Sequence, residues 1–556
     1  MLKVLKRIFG SRPDQTQVPG PAGGVNSPPP LPLDDAIGHM QRGELHAAVR
    51  TLESVLKLQH DHADAHCLLG QAYGHLGRHE DAEDCFALAM TFRPDHAEAH
   101  RQLGLRAFAQ GRAAEALEML SKAAALQPDN AKAHNDLGAS YMRLQQPGEA
   151  LAAFRRAVAL APGYADAHSN LGYLLVRDFE QIEEAEAHIK EALRLNPDHP
   201  GALCNRILIL QYQGRLEEVL HLCDSLIARG VNTEELRHNR ALALLTLGDF
   251  ERGWPDYEMR KQVHSNYESR PMPYPEWTGQ PMAGKTILVR AEQGLGDQIM
   301  FASCVPEVAV LAGGCILECD AKLLPIFARS FPGVRCYTHL AKGEPGWIRD
   351  GLHPDAQVAS GSLPRFFRPG LSSFPQHAGY LRADDARVAH WRRQLDALPG
   401  KLKVGISWRG GVKSTRTGLR SADLAGWLPV LGMEGVDFVS LQYTECSDEL
   451  AALGQAHGLR VHHWQEAIDD YDETAALVSA LDLVISVQTA VVHLSGALGK
   501  PAWVMISAVP EWRYMSRGET LPWYPAVRLF RQQDQGNWHP VMKKIALELE
   551  RLKRGN

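Results

Sequence analysis

No run of about 18 consecutive apolar residues occurs in the chain, so no segment is expected to cross a membrane as a helix. Positive charge is not in excess either. The formal net charge is −6 over 556 residues, which leaves no basic field to attract nucleic acid. Nine cysteines are scattered, odd in number and never spaced CxxC, which argues against a disulfide framework and for buried thiols in a reducing cytoplasm. The start, MLKVLKRIFGSR, is basic and apolar but lacks a sustained apolar stretch and a small-residue cleavage site, so no signal peptide is expected. Residues 11–32 are rich in Pro, Gly and Ser and cannot pack a core; 1–32 reads as tail and linker. What the chain does have is an apolar fraction of 45%, enough for the cores of three or four domains.

It also has a repeat. His66, His100, His134 and His168 recur every 34 residues, each followed four residues later by Gly70, Gly104, Gly138 and Gly172. Ala82, Ala116 and Ala150 follow in register, then Phe86, Leu120 and Phe154, then Pro94, Pro128, Pro162 and Pro197. The fourth unit carries one inserted residue. A two-helix unit of this length cannot bury its apolar face without a neighbour, so a stacked solenoid with a concave binding face is expected. Degenerate units around Gly43, Gly214 and Gly248 extend the array over 33–263, to seven units. The pattern resembles the tetratricopeptide repeat, with His in place of the usual aromatic of the first helix. The strings DHADAH and DHAEAH invite a metal, but their histidines recur at packing positions, which a helix–helix contact explains.

After a Pro/Trp/Gly-rich linker (264–284), the periodicity changes. TILVR (286–290) reads as a strand, then comes a glycine turn, an amphipathic helix over 298–311, and a second strand, CILEC (315–319). This βαβ alternation forms one parallel-sheet domain over 285–385. Residues 386–402 read as a helical connector. A second alternating domain, 403–556, has strands at KVGISW, DFVSLQ, DLVISV and AWVMIS and closes on a helix, HPVMKKIALELERLKR. Two doubly wound domains in tandem place a cleft at the carboxyl ends of both sheets.

Three turns carry chemistry. In AEQGLGDQIMFA (291–302), Gly294 and Gly296 permit a tight turn and close approach, and a helix starting near Asp297 would offer free N–H groups to an anion. A purely structural turn, with Asp297 as helix cap, would use the same residues. In DLVISVQTAVVHLSGALGKP (482–501), Ser486 and Thr489 are expected at a loop with hydroxyls turned to the cleft, and His493 lies one helical turn on, where it either reaches a phosphate or packs. WRGGVKSTRTGLRS (408–421) bunches Arg409, Lys413, Arg416 and Arg420 in a Gly/Ser/Thr loop, which suits a departing diphosphate.

Together and in order, GWPDYEMR, GLGDQIMFA, SWRGG, SVQTAVVHLSGALGKP and EWRYMSRGETLPWYPAVRLFRQ resemble the C-terminal module of tetratricopeptide-repeat proteins related to the ADP-heptose heptosyltransferases (glycosyltransferase family 9), over roughly 254–535. The resemblance implies a GT-B fold of two Rossmann-like domains and sugar transfer from a nucleotide-sugar with inversion, needing no metal or other cofactor. It implies Asp297 as base and a donor site drawn from Gly294, Gly296, Gln298, Trp408, Arg409, Lys413, Arg420, Gln442, Ser486, Gln488, Thr489, Ala490, Val491 and His493. Gln488 stands where heptosyltransferases usually carry Asp, so the donor is not assumed to be ADP-heptose. The repeats suggest a protein acceptor. A non-catalytic repeat scaffold with a degenerate transferase module, and a GT-B nucleotide-sugar epimerase, stay open beside this reading.

Overall fold

The computed structural model describes residues 33–263, 272–340, 343–410 and 417–555. The expected tail (1–32), the first part of the expected linker (264–271), Lys413 and Arg416 lie outside the described residues. The chain divides between Ile209 and Leu210 into two compact units. Among the described residues no helix is long and apolar enough to cross a membrane.

Among the described residues the first unit holds helices and no strand. Helices come in pairs: Leu33–Gln41 with Leu45–Leu58, Ala63–His75 with His79–Phe92, Ala97–Ala109 with Ala113–Leu126, Ala131–Arg143 with Pro147–Leu160, and Ala165–Phe179 with Ile182–Leu195. The chain continues through Pro200–Tyr212 with Leu216–Ala228 and Glu234–Leu247 with Phe250–Tyr257. The turn inside each pair places one residue in the left-handed region, at 43, 77, 111, 145, 180, 214 and 248. Glycine fills that position except at Gln145 (φ 58°) and Glu180 (φ 53°).

The repeated residues have repeated jobs. A Cβ on Gly70, Gly104 or Gly138 would lie 2.6–2.7 Å from a side-chain carbon of Phe86, Leu120 or Phe154, so the two helices of a pair approach closely only with glycine there. In the fourth clear unit the inserted residue transfers this contact to Ile189. His66, His100, His134 and His168 each bond through Nε2 to the carbonyl six residues back, at 2.8–3.0 Å. His62 and His96 cap helices, accepting from the Ala65 and Ala99 N–H groups. His96 also reaches Asp64 of the preceding pair at 3.1 Å. Capping and inter-repeat bonds thus account for these histidines.

The second unit holds two parallel sheets. In the first, β1 (Met282–Arg290), β2 (Ala312–Cys319), β3 (Val334–Thr338) and β4 (Ala356–Ala359) lie in the order β3-β2-β1-β4, all parallel. In the second, β5 (Leu402–Ser407), β6 (Val436–Ser440), β7 (Val461–His462), β8 (Leu483–Val487), β9 (Ala502–Ile506), β10 (Thr520–Leu521) and β11 (Tyr524–Arg531) lie in the order β10-β11-β9-β8-β5-β6-β7. Only β10 runs antiparallel to its neighbour. Every residue of β5 and β8 is buried, as expected of strands covered on both faces. The amphipathic segment expected as one helix over 298–311 is two helices, Leu295–Ala302 and Val305–Leu311. Pro306 cannot donate to the Ala302 carbonyl, so the first helix ends there.

The last helix pair is built into this unit's core. Phe250, Trp254 and Tyr257 belong to one buried cluster with Ile287, Phe301, Trp512 and Trp523. Trp254 stands edge-on to Trp512 at 5.7 Å and donates its indole N–H to the Arg368 carbonyl at 2.7 Å.

Candidate functional site

In each sheet the strand order reverses at one place: between β1 and β4, and between β5 and β8. Such reversals open a crevice at the carboxyl ends of the strands. The GLGD, WRG and SVQTA turns leave β1, β5 and β8 at those ends.

After β1 the backbone turns through Gln293 in the left-handed region (φ 61°), and Gly294 opens the helix Leu295–Ala302. Asp297 is therefore in the first turn of that helix rather than its cap. After β8, Thr489 opens the helix Ala490–Ala497. The two helix starts touch: a Cβ on Gly296 would lie 2.9 Å from the His493 ring and 3.5 Å from the Ala490 Cα. Gly410, after β5, is equally tight against Thr489, whose Cγ2 would lie 2.3 Å from a Cβ there. Turns far apart in sequence thus meet at one point.

A charged chain runs from that point. Arg513 donates to Asp297 Oδ1 from both Nε and Nη2 at 2.5 Å, and its Nη1 approaches Glu511 Oε2 at 3.3 Å. Arg420 Nη1 donates to the other oxygen of Glu511 at 2.8 Å. Arg513 also lies over the Trp512 ring, 5.0 Å from its centre. Burial opposes its charge, but Asp297 and Glu511 beside it hold the guanidinium above its ordinary value. Arg420, Glu511, Trp512 and Arg513 line a cavity of about 730 Å³ together with Tyr257 and Gln293, whose side chains bond each other at 3.0 Å. His238 and Leu242, from the helix Glu234–Leu247, form part of its other wall. Arg260, which also lines it, is buried and forks onto Glu292 at 2.7 and 3.0 Å.

Several expected donor residues are placed otherwise. Ser486 lies within β8, fully buried, and its hydroxyl turns inward to the Val487 carbonyl (2.7 Å) and Thr489 Oγ1 (3.1 Å) instead of to a cleft. His493 is enclosed by Tyr524 and Tyr514, at 3.1 and 3.4 Å from its two nitrogens. Burial, with Arg513 adding to it, pushes the imidazole down to about 3, so it meets a ligand as a neutral ring and offers a phosphate no positive charge. Gln298 spends its amide on the Asp320 N–H and the Gln293 carbonyl. Trp408 is buried and donates to Glu449; Arg409 pairs with Glu449 and the Glu445 carbonyl. Gln442 accepts from the Trp408 and Arg409 N–H groups and so staples the end of β5. Gln488 is buried, its Oε1 accepting from Ser507, and Val491 is buried in the helix that Thr489 opens.

Arg513, Glu511, Tyr257 and Gln293 escaped the sequence reading. The strings EWRYMSR and GWPDYEMR contain three of them, and the signal was present: an acid and a base two residues apart, just after a strand end.

Residues 33–97, 81–131, 101–165 and 135–200 match the family model described as tetratricopeptide repeat. The helix pairs from 33 to 200 are tetratricopeptide repeats. Protein FlbA of Caulobacter vibrioides is 34% identical over 377 residues, 65% of this chain and 63% of that protein. The chain therefore spans less than two thirds of that relative's length. Among solved structures, Pseudomonas aeruginosa pilF is 18% identical and covers 38% of this chain and 95% of its own, with a TM-score of 0.35. PilW, a type IV pilus biogenesis factor, is 22% identical over 37% of this chain and 94% of its own, with a TM-score of 0.34. YrrB, described as a tetratricopeptide-repeat protein with an unusual peptide-binding site, is 25% identical over 31% of this chain and 88% of its own, with a TM-score of 0.26.

Proposed function

We propose that the second unit is an inverting glycosyltransferase of GT-B type. It moves a sugar from a nucleotide-sugar, without an essential metal, to an acceptor protein held by the repeats. The observation that carries the reading is the meeting of the GLGD, WRG and SVQTA turns at the switch points of two parallel sheets, through Gly296 against Ala490 and His493 and through Gly410 against Thr489. Tetratricopeptide repeats are protein-interaction scaffolds, which supports a protein as the acceptor.

In this reading an acceptor hydroxyl attacks the anomeric carbon in line with the bond to the diphosphate. The new C–O bond forms as the sugar–phosphate bond breaks, the hydroxyl proton passes to Asp297, and the nucleoside diphosphate leaves. Positive side chains and the free N–H groups of the two helix starts stabilise the departing charge. Asp297 lies at the point where the turns meet, and its partner Arg513 also reaches Glu511, the carboxylate bonded by Arg420.

The test is Asp297→Asn with candidate nucleotide-sugars and the proteins captured by the repeats. Loss of transfer by about 100-fold or more with nucleotide binding retained is expected of a general base. Full turnover in that variant removes Asp297 from the role. Release of nucleoside diphosphate only in the presence of acceptor separates a transferase from an epimerase, which interconverts free sugars, and from a scaffold, which does neither.

A further inference from the structure

We propose that Arg420 and Arg513 form a two-arginine clamp for the diphosphate of a nucleotide, and that Glu511 and Asp297 are the carboxylates with which this diphosphate competes. The proposal rests on the glycosyltransferase reading for the identity of the anion, and adds to it a residue, Arg513, that couples anion binding to the freeing of Asp297.

The geometry starts from Glu511. Two guanidinium groups from separate parts of the chain converge on its two oxygens, Arg420 at 2.8 Å and Arg513 at 3.3 Å. A guanidinium fork that fits a carboxylate also fits a phosphate, so the position of Glu511 marks where the oxygens of an anion in the cavity are accepted. Both arginines line the cavity of about 730 Å³, a volume within the usual range for small-molecule sites of roughly 300–1,000 Å³.

Charge then sets the competition. Arg420 and Arg513 carry two positive charges, and Glu511 and Asp297, which they bond, two negative ones. A diphosphate brings further negative charge and competes with the two carboxylates for the guanidinium donors that they hold. Arg513 is the donor they share. When its fork turns to the anion, the bonds to Asp297 Oδ1 loosen, and Asp297 becomes available to an acceptor proton.

The segment that carries these groups is held rigidly. Arg531 binds the Tyr514 and Met515 carbonyls at 2.7 and 2.9 Å, and the Ser516 N–H donates to the Thr246 carbonyl at 2.7 Å. Met515 is held at φ 56°, ψ 166°, a conformation that is costly for any residue with a side chain and that tends to persist at functional sites. With the backbone fixed and Arg513 lying over Trp512, the guanidinium's reach is short, which suits an exchange between two adjacent anions and not a wide swing.

The experiment titrates ADP, GDP, UDP and CDP separately into the full chain by calorimetry. At least one is expected to bind the wild type. For that nucleotide, Glu511→Gln and Asp297→Asn are each expected to tighten binding at least 5-fold, because each removes a competing charge while keeping shape. Arg513→Gln is expected to weaken it at least 10-fold, with part recovered in Arg513→Lys. A residue that merely held the fold together would not tighten binding when its partner was neutralised. Unchanged or weaker affinity in the near-isosteric Glu511→Gln overturns the clamp, as does wild-type affinity in Arg513→Gln; in either case nucleotide binding by the wild type leaves the transferase reading standing. Binding of none of the four nucleotides to the wild type overturns both.

Discussion

His493 sits between two tyrosines with both ring nitrogens engaged, and its environment has a measurable consequence. The folded protein binds a proton there only near pH 3, whereas the unfolded chain binds it near 6.5. Above pH 6.5 neither state is protonated and no cost arises. Between 6.5 and 3 the unfolded state gains a proton that the folded state refuses, so stability falls by about 1.4 kcal/mol per pH unit. Between pH 7 and 5 the wild type is expected to lose roughly 2 kcal/mol more than His493→Gln, measured by denaturant unfolding at each pH. Equal losses would mean that the ring is not held neutral. The sequence placed His493 one turn into the helix and left open whether it binds phosphate or packs. Only the side chains brought in from β11 and from the turn after β9, Tyr524 and Tyr514, show what surrounds its ring. Ser486 teaches the same lesson, because a serine at a strand end looks identical in sequence whether its hydroxyl faces a cleft or its own backbone.

Among the elements, the repeat register was the most legible, carried by His66, His100, His134 and His168 and the glycines that follow them. The left-handed residue of each turn recurs at the same interval and is glycine at 43, 77, 111, 214 and 248. Gln145 occupies the same position with a side chain, which costs about 1 kcal/mol in that conformation. Gln145→Gly is expected to raise the stability of the repeat unit by roughly 0.5 kcal/mol, after the added freedom of the unfolded glycine is deducted. A lowered thermal midpoint of the repeats in that variant would show that the Gln145 side chain makes a compensating contact. Strand runs such as LVISV in β8 were legible because burial on both faces leaves a continuous apolar string. The break between Ala302 and Val305 was missed, since an apolar period of 3.6 residues runs through Pro306 without interruption and hides the lost hydrogen bond. Short edge strands such as β7 and β10, two residues each, have too little pattern to read.

At the scale of the whole molecule, the last repeat pair belongs to the core of the α/β unit. Phe250 packs on Phe374 at 5.1 Å and Trp254 on Trp512 at 5.7 Å, all buried. A fragment 210–556 is therefore expected to unfold in one cooperative transition. A fragment 272–556, which leaves Trp512 and Trp523 uncovered, is expected to bind a hydrophobic dye and to melt without a sharp transition. A sharp melt of the shorter fragment would show that the α/β core closes without the helices. The sequence by itself determined the repeat register, the helix–turn–helix pairing, the parallel strands and the GLGD, WRG and SVQTA turns, because each depends on residues close along the chain. Tertiary structure alone decided that Arg513 and Arg420 share Glu511, that Arg513 grips Asp297 from 216 residues away, and that Gln442 and Ser486 serve the backbone. Local pattern records what a residue can do, but its partner is chosen by the packing of both sheets and the final helices around one core.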